Sequence, residues 1–412
     1  MKPTRVALLC DYPEEGWASM DLVAEMILSH LRSGHGDELE VTRVCPPYRR
    51  RLGDGRFRRN ADRLLNRHLD YPRHARKLAA SGEFDLYHVV DHSYAQLVDA
   101  LPTGRTVVTC HDLDTFRCLL DPAAEPRPYW FRAMTRRTLR GLQNAAAVAV
   151  DSEATRRAIL RHGLIPEGRL HLAHLAVHPE CSPEADAEAD AAIGALLGPP
   201  AEVEVLHVGT NIARKRVDVL LRAFAEVRRA IPGARLLKAG GALPADLSKL
   251  ADDLGIAEAI MTLPHFSPTS TTDRARLASV YRRAALTMQP SDAEGFGLPV
   301  AESLACGTPV LASDIEVLRE VGGDAATYAP VGDVRRWVEA SLSLLAARRQ
   351  DAAAWGLRRE RGLARASLFR WEGHASRLVE IYRRVVDDDS IDPGVAAPPR
   401  ADRPDGSTLS AR

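Results

Sequence analysis

The sequence predicts an α/β protein built from two doubly wound domains of similar size, with room for a cleft between them, and three observations lead there. Short apolar runs of strand length alternate with amphipathic helical stretches, as buried parallel strands joined by crossover helices do. The alternation lapses once near the middle of the chain and then restarts. A length of 412 residues exceeds one ordinary domain and suits two, each large enough to bury a sizeable core.

In the first half the strand candidates are RVALLC (5–10), EVTRVC (40–45), FDLYHVV (84–90), RTVVTC (105–110) and AAVAV (146–150). Between them SMDLVAEMILSHL (19–31) repeats apolar residues at helical spacing, and SEATRRAILRHG (152–163) opens on Asp151 and Ser152, side chains that cap helix N-termini. Residues 1–180 are therefore expected to form the N-terminal domain. The acidic, alanine-rich, proline-bounded stretch that follows reads as an interdomain linker, 181–202, with room for one short helix.

The second half supplies EVLHVG (204–209), ARLLKAG (234–240), AIMTLP (259–264), ALTMQP (285–290), TPVLAS (308–313) and AATYAP (325–330), which places the second domain at 203–368. FRWEGHASRLVEIYRRVV (369–386) has the spacing of an amphipathic helix. From Asp387 to Arg412 the chain is rich in Pro, Asp and Gly without apolar periodicity, so a disordered tail is expected and its Asp triplet reads as solvated, not metal-binding.

The charges balance at 55 basic and 55 acidic side chains, which removes any electrostatic case for nucleic acid as a partner of the whole molecule. Cys10, Cys45, Cys110, Cys118, Cys181 and Cys306 show no CxxC spacing, as expected of small buried side chains in a reducing, cytoplasmic setting. The first apolar run ends within a few residues in Asp and Pro, too short for a signal peptide, and no later run reaches membrane-spanning length. There is no GxSxG elbow, Walker A loop or HExxH pair, which disfavours hydrolase, NTPase and zinc readings.

Chemistry concentrates in SDAEGFGLPVAE (291–302). This stretch follows the strand ALTMQP and runs into a helix, so it sits at the carboxyl end of a strand, where open α/β sheets bind ligands. Gly295 and Gly297 permit close backbone approach, and the helix start at Leu298 offers partial positive charge to an anion. Glu294 lies beside these donors and Glu302 about two turns further on. On spacing alone, Glu294 as a helix cap and Glu302 as a solvated helical residue explain the pair equally well.

The longer stretch EGFGLPVAESLACGTPVLASD resembles the E-x7-E segment of retaining glycosyltransferases of family 4, which share the GT-B architecture of two facing Rossmann-like domains. The similarity continues through VYRRAALTMQPSD upstream and LREVGGDAATYAPVGD downstream. HVGTNIARKRVDVLLRAF (207–224) is similar to the family's first loop of the C-terminal domain, where Gly209, Thr210, Arg214 and Lys215 would meet the donor diphosphate. Two departures stand out: many relatives carry Arg where this chain has Thr210, and Gly or Asn where it has Arg216.

The resemblance implies a retaining transfer of a hexosyl unit from a nucleotide diphosphate sugar to a hydroxyl acceptor in polysaccharide or glycolipid assembly. Neither a metal ion nor a cofactor is expected besides the nucleotide sugar as co-substrate. The expected catalytic residues are Glu294, His111, Arg214 and Lys215. Gly295, Phe296, Gly297 and Leu298 would join the donor contacts, and Glu302 would hold the ribose. His111 ends the strand RTVVTC where the family has a histidine near the donor sugar, and Gly16 marks the acceptor loop by position only. The helix at 369–386 is expected to cross back onto the first domain.

Asp112-Leu113-Asp114 spells DxD, but three residues are a weak signal, and Arg214 with Lys215 already supplies positive charge. Asp91, His92 and Ser93 stand at the same cleft edge without defining a triad. Segment 49–77 holds eleven Arg or Lys against three Asp, which suits either a solvated face or contact with the inner face of a membrane and a lipid-linked acceptor. Two other functions share the architecture: a sugar-nucleotide epimerase, and a non-catalytic nucleotide-sugar-binding protein.

Overall fold

The computed structural model describes residues 2–387 apart from 54 and 268, so the tail expected from 388 onward lies outside the described residues. Two six-stranded parallel sheets carry the fold. The first holds β1 (Thr4–Leu9), β2 (Leu39–Val44), β3 (Leu86–Val89), β4 (Thr106–Cys110), β5 (Ala147–Val150) and β6 (Leu170–Leu172) in the order β2-β1-β3-β4-β5-β6. The second holds β7 (Val203–Val208), β8 (Ala234–Ala239), β9 (Ile260–Thr262), β10 (Leu286–Gln289), β11 (Val310–Ser313) and β12 (Thr327–Ala329) in the order β12-β11-β10-β7-β8-β9. Each expected strand is present, and β6 is an addition. The linker carries its one helix, Ala187–Leu197.

Strand order decides where ligands can sit. Crossovers leave neighbouring strands in opposite directions between β1 and β3 in one sheet and between β7 and β10 in the other. These are the switch points where an open parallel sheet leaves a crevice at its carboxyl edge. The loops after β7 and β10 carry the two motif regions recognised in the sequence.

One apolar cluster joins the lobes. Val23 and Ile27 of the helix Ala18–His35 share it with Val300 and Leu304 of the helix Leu298–Ala305 and with Leu378 and Tyr382 of the last helix, Trp371–Asp387. That last helix packs on the first lobe: His88 of β3 and the Tyr382 hydroxyl hydrogen-bond at 2.6 Å, and Arg105 donates to the Val386 carbonyl at 2.6 Å.

Polar contacts add to the junction. Glu320 of the second lobe accepts from the backbone N–H groups of Glu153 at 2.7 Å and Ala154 at 2.9 Å, the first residues of the helix Glu153–Arg161. A carboxylate at a helix N-terminus meets both free amides and the positive end of the dipole. Ser152, foreseen as a cap, accepts from Thr155 N–H and also donates to the Gly295 carbonyl at 2.9 Å across the lobes.

Candidate active site

The loop after β7 turns through Ala213–Lys215, and Arg216 ends it with φ of 47°, the only positive φ at a non-glycine among the described residues. Left-handed backbone is strained for a side chain with a Cβ, which accounts for Gly or Asn being the usual occupants in similar sequences. The Arg216 guanidinium pairs with Asp218 at 3.0 and 3.1 Å, so it does not serve as a third diphosphate cation here.

Lys215 and Glu294 form the centre of the site. Lys215 Nζ donates to both carboxylate oxygens, at 2.6 and 2.9 Å, while Ser291 Oγ at 2.6 Å and Gln289 Nε2 at 2.9 Å donate to Oε1. Arg214 donates to the Ala293 carbonyl at 3.0 Å and stands 3.6 Å from Glu294. The Glu294 side chain is 6 % exposed. Burial alone would raise its pKa, but the charge and hydrogen bonds of Lys215, with Ser291 and Arg214, hold it below the ordinary value. Glu294 is thus an ionised carboxylate at neutral pH.

Under this loop lies Lys238, which the sequence reading missed. It is fully buried on β8 with no carboxylate partner among the described residues, and Nζ donates to the carbonyls of Gly209 at 2.6 Å and Ala239 at 3.1 Å. Burial, aided by the charge on Lys215, pulls its pKa down to about 8. A lysine in the middle of an apolar strand run was the available signal.

Three expected donor residues sit differently from their forecast. Phe296 is a core residue at 3 % exposure: its ring packs edge-on against Phe369 at 5.3 Å and tilts over His174 at 6.3 Å, so only its backbone is left to the loop. Gly295 permits close approach to the other lobe, since a Cβ there would collide with the His111 carbonyl. Glu302 does not join the Lys215–Glu294 cluster. Its carboxylate accepts from the Tyr281 hydroxyl at 2.8 Å, and burial raises its pKa. Gly297 has φ of 98° and starts the helix, with Leu298 part-buried behind it, while Gly209 begins the β7 loop and Thr210 is exposed on it.

Across the cleft His111 is buried and both ring nitrogens are engaged: Nδ1 with Asp151 at 2.5 Å and Nε2 with the Val90 carbonyl at 2.9 Å. Burial opposes its charge, but Asp151 overcomes this and holds the pKa up at about 9. Both His111 ring nitrogens thus donate to groups of the first lobe, the Asp151 carboxylate and the Val90 carbonyl. Asp112 and Asp114 each lie 3.7 Å from Arg214, so the DxD carboxylates face a guanidinium.

The first switch point holds a polar group that adds Asp11 and Arg67 to the Asp91, His92 and Ser93 noted in the sequence. Asp11 follows β1 and Asp91 follows β3; burial and Asp91 push Asp11 well up, while Asp91 is held low against burial by His92 and His111. Arg67 bridges Glu15 at 3.2 Å and the Ser93 carbonyl, and stacks over Tyr94 at 4.1 Å. An aspartate ending an apolar run was the signal that could have found Asp11. Gly16, the expected acceptor contact, is exposed with open space around it.

The facing edges share one property. Asp11 Oδ2, Tyr12 Oη and Glu15 Oε1 on one side, and His207 Nε2, Asn211 Oδ1 and Gln289 Oε1 on the other, are buried without a hydrogen-bond partner among the described residues, while His92 Nε2 reaches only Asp112, at 3.5 Å. Buried polar atoms are normally satisfied, so a concentration of exceptions at two facing edges marks where a polar ligand belongs.

Comparison with known proteins agrees with this geometry. The model of glycosyltransferase family 4 matches residues 23–180, and that of glycosyl transferases group 1 matches residues 194–358. D-inositol 3-phosphate glycosyltransferase of Mycobacterium marinum is 38 % identical over 198 residues, 46 % of this chain and 40 % of that protein. The protein of the same name from Mycobacterium tuberculosis is 36 % identical over 248 residues, 58 % of this chain and 48 % of its own length. The matches thus span less than half of these relatives. Among solved structures, sucrose-phosphate synthase from Thermosynechococcus elongatus superimposes with a TM-score of 0.72 at 21 % identity, covering 93 % of this chain and 99 % of that one. HepE from Anabaena, in complex with UDP and glucose, gives 0.67 at 16 % identity, covering 92 % of this chain and 98 % of that one. At such identities these two establish the fold, and the two family models, one on each lobe, establish that the chain belongs to the GT-B glycosyltransferases of family 4.

Proposed function

We propose that the protein transfers a hexosyl unit from a nucleotide diphosphate sugar to a hydroxyl acceptor with retention of anomeric configuration and without a metal ion. The observation that carries this reading is the ionised Glu294 held against Lys215 at a switch point, opposite buried polar atoms that lack partners. Arg214 and Lys215 would bind the diphosphate and stabilise the charge that grows on it as the sugar leaves, the stage at which fixed cations act most strongly. Glu294, already anionic, would stabilise positive charge at the anomeric carbon and cannot act as the acid. The leaving phosphate oxygen would take the acceptor proton on the same face.

On the acceptor side Asp11, Tyr12, Glu15 and His92 suit a polyol, whose hydroxyls both donate and accept. Relatives named for D-inositol 3-phosphate make inositol and its phosphates the first acceptors to screen. A lipid-linked acceptor is favoured by the helix Arg56–Leu65, where Phe57 is 85 % exposed beside the exposed Arg58 and Arg59. No helix among the described residues is long and apolar enough to cross a membrane, so contact would be peripheral. Exposed arginines each contribute about 1 kcal/mol near an anionic surface. Co-sedimentation with phosphatidylglycerol vesicles, and its loss in Phe57→Ser, tests this.

The activity is tested by following nucleotide release from UDP-, GDP- and ADP-sugars in EDTA, with and without acceptor. Release that persists in EDTA and falls in Glu294→Ala and Lys215→Ala supports the reading. Binding without release from any donor would replace it with a non-catalytic one, and a changed nucleotide sugar without acceptor would indicate an epimerase.

A further inference from the structure

At the opposite, amino-terminal edge of the second sheet lies a concavity of about 270 Å³ lined by Arg282, Arg348 and Arg359 together with Trp355, Gly307 and Thr308, and by no acidic residue. Four elements bring these groups together. Arg282 lies in the last turn of the helix Thr271–Arg283, Arg348 lies in the last turn of Val334–Gln350, and Trp355 and Arg359, four residues apart, share one face of Ala352–Ala366. Gly307 and Thr308 lead into β11.

Arg282 already pairs with Asp190 at 2.7 Å. Arg348 and Arg359, by contrast, have no carboxylate or carbonyl partner among the described residues, although elsewhere on this surface arginines are repeatedly paired: Arg349 with Glu202 at 3.4 Å, and Arg358 with Thr327 at 3.2 Å. The Arg359 side chain lies directly on Gly307, where a Cβ would strike its Nε, so the glycine seats the guanidinium in the concavity.

We propose that this concavity is a binding site for a small phosphorylated anion, separate from the donor site. Two unpaired guanidiniums and a third beside them supply the planar, forked donors that match phosphate oxygens, and Trp355 offers an aromatic face to whatever carries the phosphate. The volume of about 270 Å³ falls just under the ~300 Å³ at which drug-sized pockets begin, so the occupant is small, and the arginines select phosphate or a phosphomonoester. An occupant there would sit near Glu302: Thr308 Oγ1 donates to the Tyr281 carbonyl at 2.6 Å, and the Tyr281 hydroxyl donates to Glu302 at 2.8 Å. Any effect on donor affinity rests on the reading of the donor site given above; the binding itself does not.

The test is calorimetric titration of the full chain with inorganic phosphate, against chloride at equal ionic strength. Saturable binding is expected in the wild type and, within twofold, in Lys215→Ala; it should weaken at least tenfold in Arg348→Gln/Arg359→Gln, whose positions are exposed and whose thermal midpoint without phosphate should be unchanged. Absence of saturable heat, or binding lost in Lys215→Ala and kept in the double variant, would overturn the proposal. Neither result bears on glycosyl transfer, which the nucleotide-release assay reads separately.

Discussion

Replacing Lys215 with Met removes one charge from a buried pair and leaves the other in place. At 2.6 Å and an effective dielectric constant of about 20, the attraction between Lys215 and Glu294 is about 6 kcal/mol. Desolvation of the two groups, which are 12 % and 6 % exposed, offsets part of it, and removing one partner from such a pair costs about 3–5 kcal/mol. For a lobe of this size that lowers Tm by on the order of 10 °C. The pH dependence identifies the cause. In the wild type the Glu294 pKa lies below the ordinary 4.5, so its contribution is present above 4.5 and is lost as pH falls through the lowered value. In Lys215→Met the same carboxyl is buried without its cation, its pKa rises above 4.5, and the variant becomes less stable as pH climbs through that value. The gap in Tm between the two proteins should therefore be widest near pH 7 and close towards pH 4, as read by calorimetry in matched buffers. A gap that stays constant across that range would show that the lysine stem, not its charge, holds the loop, and would refute the argument.

Three further outcomes are expected. Gly295→Ala places a methyl against the His111 carbonyl, so it should hold the lobes apart, lowering activity more than tenfold while nucleotide binding to the second lobe survives; small-angle scattering and calorimetry check the two halves of that statement. The His111 pKa is raised to about 9 from an ordinary 6.5, so its pairing with Asp151 contributes about 3 kcal/mol that is fully present below pH 6.5 and lost as pH rises through 9; in His111→Gln, chemical denaturation should show that pH dependence gone. Arg216→Asn relieves left-handed strain of about 1–2 kcal/mol but gives up the half-exposed pair with Asp218, for a net gain of about 0.5 kcal/mol visible as a small rise in Tm.

The fold was readable because apolar runs bounded by polar turns announce buried parallel strands one by one. β6 escaped because it is three residues long, with two of them only half-buried, and so has no run to announce it. Glu294 and Lys215 were readable as candidates since each follows a strand of its own, but their mutual hydrogen bonds join residues 79 apart in sequence. Phe296 was misplaced for the same reason: a phenylalanine between two glycines looks available to a ligand until Phe369 and His174 arrive from distant segments. The position of His111 at a strand end was legible and its hydrogen-bond partners were not, because the groups that occupy its nitrogens come from the ends of β3 and β5. Charged residues that stand singly, such as Asp11 and Lys238, are marked only by interrupting or ending an apolar run, with no spacing to a partner that would name their role.

The return of the last helix onto the first lobe separates inheritance along the chain from assembly in space. A hybrid enzyme that exchanged lobes by a single crossover near residue 200 would pair one parent's Val23 and Ile27 with the other parent's Leu378 and Tyr382, and would need His88 and Tyr382 to meet across a foreign seam. The exchangeable unit of this architecture is discontinuous: the second lobe can be transplanted cleanly only with two crossovers, the second just before Trp371.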